Sequence, residues 1–207
     1  MKILFVVSEV EDLAKTGGLA DVAKALPVEL KKLGHEVIIL MPYYKLLADK
    51  FDAKQVLGEQ TVFAGPKPYS FKLRQLEVGG ISVYCVDHHQ YFDRDGLYSD
   101  AYHAFNDNAE RFAFFADAAL HAAKALNFQP DIVHCNDWHT ALTPYFMQAD
   151  KSGYFSASKS VLTIHNGAFH GTHRLDQIPY LQPQLELHKQ LDGDAVNFLR
   201  MGIRYAT

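Results

Sequence analysis

The 207-residue chain has little cysteine and little tryptophan: Cys85, Cys135 and Trp138 are all it carries. Each thiol falls in an apolar, β-type run, which argues against a disulfide scaffold and for small buried residues in a reduced protein. No apolar run reaches membrane-spanning length, and the one after Met1-Lys2 ends at Ser8-Glu9, too short for a signal-peptide core. A cytoplasmic location with no membrane partner is therefore expected. Cationic excess is also missing: the formal charge of -4 argues against a nucleic-acid partner, so any phosphate recognition must be local. The chain has no G-x-G-x-x-G dinucleotide fingerprint, no His-Glu-x-x-His and no G-x-S-x-G elbow. Its eleven histidines match no compact zinc spacing, so neither a metal nor another cofactor is expected. What remains is a folded chain, 48% apolar, with enough residues for one substantial core.

The most informative stretch is Lys15-Thr16-Gly17-Gly18-Leu19, followed by Ala20-Asp21-Val22. Ahead of it, Ile3-Leu4-Phe5-Val6-Val7 is continuously apolar, as in a strand covered on both faces of a parallel sheet. Behind it, Leu19, Val22, Ala23, Leu26, Leu30 and Leu33 recur at helical spacing. The glycines thus sit at a strand-to-helix turn, where bare main chain and the positive helix end suit an anion and Lys15 adds a full charge. A simple turn would look the same on these residues alone.

Along the chain the pattern predicts strand 2–7, a helix over 18–33 kinked or divided at Pro27, a left-handed Gly34, and strand 36–40. The stretch to about 60 is weakly patterned. Alternation over 69–74 and 81–86 around Gly79-Gly80 predicts a β-hairpin whose second strand also joins the central sheet. A long loop over 87–104 precedes a helix to about 126, opened by an Asp107-x-x-Glu110 capping box, with Phe112, Phe115, Ala119 and Ala122 as its apolar stripe. Strands over 131–135 and 160–164 flank a helix from His139 to Met147, with Asp137 as its cap. Alternating strands and helices predict an α/β, Rossmann-like, doubly wound and mainly parallel sheet with helices on both faces, whose ligands gather at the strand ends.

Four strand ends deliver polar groups to that edge: Ser8-Glu9 with Lys15, Asp87-His88-His89, Asn136-Asp137-Trp138-His139, and His165-Asn166-Gly167. Their convergence predicts one pocket. Trp138 offers a flat face on which a sugar ring stacks, although a cap beside a buried tryptophan is the plain alternative. His165 stands where it would hydrogen-bond a sugar hydroxyl or stabilise positive charge at a reacting carbon, or else merely satisfies a turn.

The Lys15-Thr-Gly-Gly-Leu-Ala-Asp21-Val22 run after Ser8-Glu9, the Asn108-x-x-Arg111-Phe112 helix start, His134-x-Asn-Asp137-Trp138-His139 and Thr163-Ile-His165-Asn166 together resemble bacterial glycogen synthases and plant starch synthases. The resemblance runs from Met1 to the 197–203 segment, which looks like the helix leading to an interdomain hinge. It implies that residues 1–207 are the N-terminal, acceptor-side half of a two-domain GT-B glycosyltransferase. Such an enzyme moves glucose from ADP-glucose, with retention, to the non-reducing end of an α-1,4-glucan, and needs no metal. By position, Lys15, Asp137 and His165 would be the catalytic groups. Gly17, Gly18, Asp21, Tyr98, Trp138, His139 and Asn166 would bind substrate, with Tyr98 on the acceptor. The 166–171 loop, Asn-Gly-Ala-Phe-His-Gly, departs from the family's usual Asn-Leu-Ala-Tyr-Gln-Gly. The resemblance also implies a C-terminal nucleotide-binding domain as partner, and without it the fragment is expected to be inactive. A non-catalytic glucan-binding module is the alternative; the missing fingerprint disfavours an oxidoreductase.

Overall fold

The computed structural model describes residues 1–184, 189 and 191–207. Its main sheet runs β3-β4-β5-β2-β1-β6-β7. The strands are β1 (Lys2–Val6), β2 (Glu36–Pro42), β3 (Lys54–Ala64), β4 (Lys67–Val78), β5 (Ile81–Asp87), β6 (Ile132–Asn136) and β7 (Lys159–Thr163). β5, β2, β1, β6 and β7 pair in parallel, while β4 and β3 extend one side antiparallel. β1 is central and is buried from Ile3 to Val6 on both faces, which is why its sequence is apolar without alternation.

Helix α1 (Gly18–Lys32) carries the chain from β1 to β2, and α4 (Asn108–Ala125) carries it from β5 to β6 in the opposite direction across the sheet. With right-handed crossovers, these opposite directions put α1 and α4 on opposite faces. Helix α5 (Thr143–Ala149), between β6 and β7, packs beside α4. The doubly wound expectation is therefore met. Strand order reverses between β1 and β6, which opens a crevice at their carboxyl ends.

The Gly79-Gly80 hairpin forms with both glycines at positive φ, 57° and 76°, and β5 does join the parallel sheet through β2. Gly34, at φ 87°, ends α1 as expected. Pro27 does not divide α1; its ring is buried on the core side, where packing offsets the lost main-chain bond. The weakly patterned stretch holds α2 (Lys45–Lys50) and the long edge strand β3, which pairs only with β4. The 87–104 loop contains a short helix, α3 (His89–Phe92).

The capping box at Asp107 does not form. Its carboxylate is held by Arg94 Nη1 and Nη2 at 2.8 and 2.9 Å, and Glu110 accepts instead from the Tyr91 hydroxyl and the Tyr180 amide. The stripe residues of α4 are buried, but so are Ala113, Phe114 and Ala116, because the helix lies between the sheet and later segments. The 197–203 segment forms β9 (Ala195–Asn197), paired with β8 (Thr172–Arg174), and the closing helix Phe198–Tyr205.

Candidate active site at three adjacent strand ends

At the end of β1, Ser8 and Glu9 are buried. The Glu9 carboxylate accepts hydrogen bonds from the Thr16 amide, the Thr16 hydroxyl (2.7 Å), the Gly17 amide (3.2 Å) and the Tyr98 hydroxyl (2.7 Å). The Gly17 amide, expected to meet an anion, is thus committed to Glu9. At the open mouth of α1 stand the amides of Gly18 and Leu19, first-turn positions for which a helix supplies no acceptor of its own. A Cβ on Gly17 or Gly18 would meet nothing within 4 Å, so open space lies beside the Lys15-Thr16-Gly17-Gly18 strap.

Lys15 projects outward, its ammonium 2.5 Å from Asp21 and 3.2 Å from Glu11. Hydrogen bonds to Asp21 and then Glu11 raise its pKa, and Lys15 in turn lowers that of Asp21. Asp21 is therefore the counter-ion of Lys15 in this state. An arriving anion competes with a carboxylate for the same ammonium.

At the end of β6, the Asn136 side chain donates to the Val6 carbonyl at 3.1 Å, and its amide oxygen lies 3.0 Å from His165 Nε2. Asp137 follows with φ 57° and ψ −178°, a region that costs a non-glycine residue about 1–3 kcal/mol. Its carboxylate caps no helix, contrary to the sequence reading. It accepts instead from the main-chain amides of His165 (2.7 Å) and Asn166 (3.2 Å), while its own amide donates to the Thr163 carbonyl at 2.9 Å. These bonds hold the strained backbone and lock the end of β7 onto the end of β6. The expected helix from His139 is instead a 3₁₀ turn, Trp138–Thr140, followed by α5 with Pro144 in its first turn.

Trp138 is not an open platform. Phe112 meets it edge-on at 5.4 Å, Phe198 and His173 flank it, and a Cβ on Gly171 would lie 2.6 Å from the indole. Gly171 adopts φ +62°, which lets the loop backbone lie directly on the ring. His139 is buried between Tyr98, stacked at 4.5 Å, and Phe112, and its Nδ1 has no partner among the described residues. It forms a wall beneath Tyr98 rather than an exposed hydroxyl ligand. The Tyr98 hydroxyl is itself engaged, 2.7 Å from both Ser8 Oγ and Glu9.

His165 and Asn166 are exposed at the crevice. Lys15, Asp137 and His165 thus follow β1, β6 and β7, three consecutive neighbours in the sheet. Glu9, Tyr98 and His139 link the first of these turns to the second. Asp87-His88-His89 does not join them. β2 separates β5 from β1, placing that strand end about 10 Å away. Asp87 pairs with Arg74 at 2.7 Å, and His88 stacks on Tyr91 at 4.3 Å. His88 lines two grooves of about 470 and 570 Å³, the second shared with Asp87 and His89, and neither includes Lys15, Asp137 or His165. Sequence reasoning counted Glu9 and Asn136 among the converging polar groups but gave neither a role; the signal available was that Glu9 follows and Asn136 ends a buried strand.

Both cysteines are free and buried, and burial raises both thiols, that of Cys135 to about 12. Among the described residues no three His, Cys, Asp or Glu side chains gather as a metal set, and no helix is long and apolar enough to cross a membrane.

Burial lowers His139 to about 3, helped by the Arg111 charge, and lowers His134 to about 4, helped by His165. Both folded-state values lie below the ordinary 6.5, so the unfolded chain binds more protons in the interval between. Stability from these groups is complete above pH about 6.5 and is lost as pH falls towards 3–4. Urea midpoints should therefore drop between pH 6.5 and 4, and drop less steeply in His139→Phe.

The model of the family described as "Starch synthase catalytic domain" matches residues 2–207. A glycogen synthase of Photobacterium profundum is 45% identical over 212 residues, covering 100% of this chain and 42% of that protein. One from Aeromonas salmonicida is 43% identical, covering 100% of this chain and 43% of that protein. Among solved structures, the catalytic domain of Starch Synthase IV from Arabidopsis thaliana bound to ADP and acarbose superposes with a TM-score of 0.83 at 26% identity, over 99% of this chain and 43% of that one. The chain thus spans about two fifths of the length of the curated relatives it matches.

Proposed function

Since the chain belongs to the starch synthase catalytic domain family, we propose that it is the acceptor-side half of a cytoplasmic, retaining glucosyltransferase. That enzyme moves glucose from ADP-glucose to the non-reducing end of an α-1,4-glucan, and residues 1–207 act with a second, nucleotide-binding domain. The observation that carries this reading is the placement of Lys15, Asp137 and His165 at the ends of the adjacent strands β1, β6 and β7, where the winding reverses.

Each group has a physical task there. Lys15 exchanges Asp21 for the donor diphosphate and meets the charge that grows as the bond to glucose breaks, with Gly18 and Leu19 amides beside it. Asp137 fixes the His165-Asn166 segment from below. His165 and Asn166 face the sugar. Positive charge developing at the anomeric carbon is stabilised by the Asp137 carboxylate and by acceptors of the His165-Asn166 turn, inside a cleft that the second domain closes against water. Glycogen and ADP-glucose are the partners.

The test is incorporation of radiolabelled glucose from ADP-glucose into glycogen. Residues 1–207 joined to the nucleotide-binding domain should incorporate label, and residues 1–207 alone should not. Glucan retention with no incorporation by the joined protein would instead mark a carbohydrate-binding module.

A further inference from the structure

The Asn108-x-x-Arg111 motif and Glu9 have no part in the reaction as described above, yet they form one connected structure. Arg111 is fully buried, and no carboxylate faces it among the described ion pairs. Its guanidinium donates to the Tyr91 carbonyl (2.8 Å), the Leu97 carbonyl and the Asn108 side-chain oxygen (3.0 Å). The Asn108 amide donates to the Tyr98 carbonyl at 2.8 Å. The first turn of α4 thus holds the 91–98 loop by its main chain, from Tyr91 to Tyr98. Tyr98 delivers its hydroxyl to Glu9, and Glu9 spends its remaining acceptor sites on Thr16 and Gly17. The series ends, through Glu9, on the strap that carries Lys15.

We propose that Glu9 is a positioning residue for the Lys15-Thr16-Gly17-Gly18 strap, with Tyr98, Asn108 and Arg111 holding Glu9 in place. The inference rests on the reading of this strap as the donor diphosphate site. A carboxylate suits the role because it only accepts, and its four bonds come from two main-chain amides and two hydroxyls. The amides converge on Oε2 and the hydroxyls on Oε1. A glutamine can reproduce this arrangement: its oxygen takes the amides, its NH₂ donates to the hydroxyls, and those hydroxyls rotate. Charge and position are therefore separable by substitution. A strap displaced by about 1 Å should lose on the order of 10²-fold in turnover, because the ammonium then misses the charge that develops.

The experiment uses the full-length enzyme and compares Glu9→Ala, Glu9→Gln and Thr16→Ala. One readout is kcat and KM for ADP-glucose; the other is hydrogen exchange at the Thr16 and Gly17 amides. Glu9→Ala should lose about 10²-fold in kcat, with little change in glycogen affinity and much faster exchange at both amides. Glu9→Gln should keep both values within about fivefold of the parent. Should Glu9→Ala fail to fold, Thr16→Ala decides, with an expected loss of about tenfold in kcat for one bond to a charged acceptor. Unchanged kcat in Glu9→Ala, or in Thr16→Ala where that variant decides, overturns the proposal. So does a Glu9→Gln enzyme as impaired as Glu9→Ala with its amides still protected, since charge rather than position would then be responsible. Absence of transfer by the parent enzyme would refute the glucosyltransferase reading alone, leaving the exchange arm to judge the strap.

Discussion

Asp137→Ala in the full-length enzyme should lower transfer by on the order of 10²–10³-fold, the scale of losing one preorganised electrostatic group. Asp137→Gly should lose as much while folding more stably than the alanine variant. The difference is in the backbone, since φ 57° with ψ −178° belongs to glycine. Relief of about 1–3 kcal/mol exceeds the extra unfolded-chain entropy of glycine, about 0.4–1 kcal/mol. Glycine should therefore be ahead by about 1–2 kcal/mol, read as a higher urea midpoint. Asp137→Asn separates the remaining roles, because its oxygen still accepts from the His165 and Asn166 amides. It should restore stability to near the parent value and leave transfer impaired. Full activity in Asp137→Asn would mean that the carboxylate acts only by tying the two strand ends together.

Lys15→Ala should also lower kcat by on the order of 10²–10³-fold, with glycogen retention on an affinity column unchanged. The ammonium pairs with Asp21 at rest, and that pairing raises its pKa, so it is charged throughout the neutral range. In the proposed reaction, donor binding then exchanges one anion for another. Much of the interaction is thus already present with Asp21, and the gain appears as the leaving diphosphate accumulates charge. A variant with unchanged kcat and a raised KM for ADP-glucose would reduce Lys15 to uniform binding. Intact transfer would remove the strap from the reaction altogether.

The β1-α1-β2 unit was legible because its signals are local: an unbroken apolar run, a change to helical spacing, and glycines at the joints. The Gly79-Gly80 hairpin was legible for the same reason. β3 was not, since its residues 54–61 are mostly exposed on both sides and its strand character comes from pairing with β4. The Asp107 capping box failed to a distant competitor, because Arg94 offers two charge-assisted bonds where a helix amide offers one. At the site, strand order decided what the motifs could not. Sequence supplied polar groups at four strand ends, and only the sheet shows that β2 stands between β5 and the rest. Glu9 and Tyr98 lie 89 residues apart, so no window reveals their bond. Trp138 was read as a platform because its cover, Gly171, lies on a loop whose left-handed backbone the sequence does not announce.

The central position of β1 has a consequence during synthesis. One side of this strand pairs with β2 through Lys2↔Glu36, soon after both leave the ribosome. Its other side waits for Ile132, which meets Ile3. At about 5–20 residues per second, the interval is on the order of ten seconds. For that time the nascent chain presents an unsatisfied apolar ribbon to the cell, and ribosome-bound holdases should grip this segment until β6 emerges.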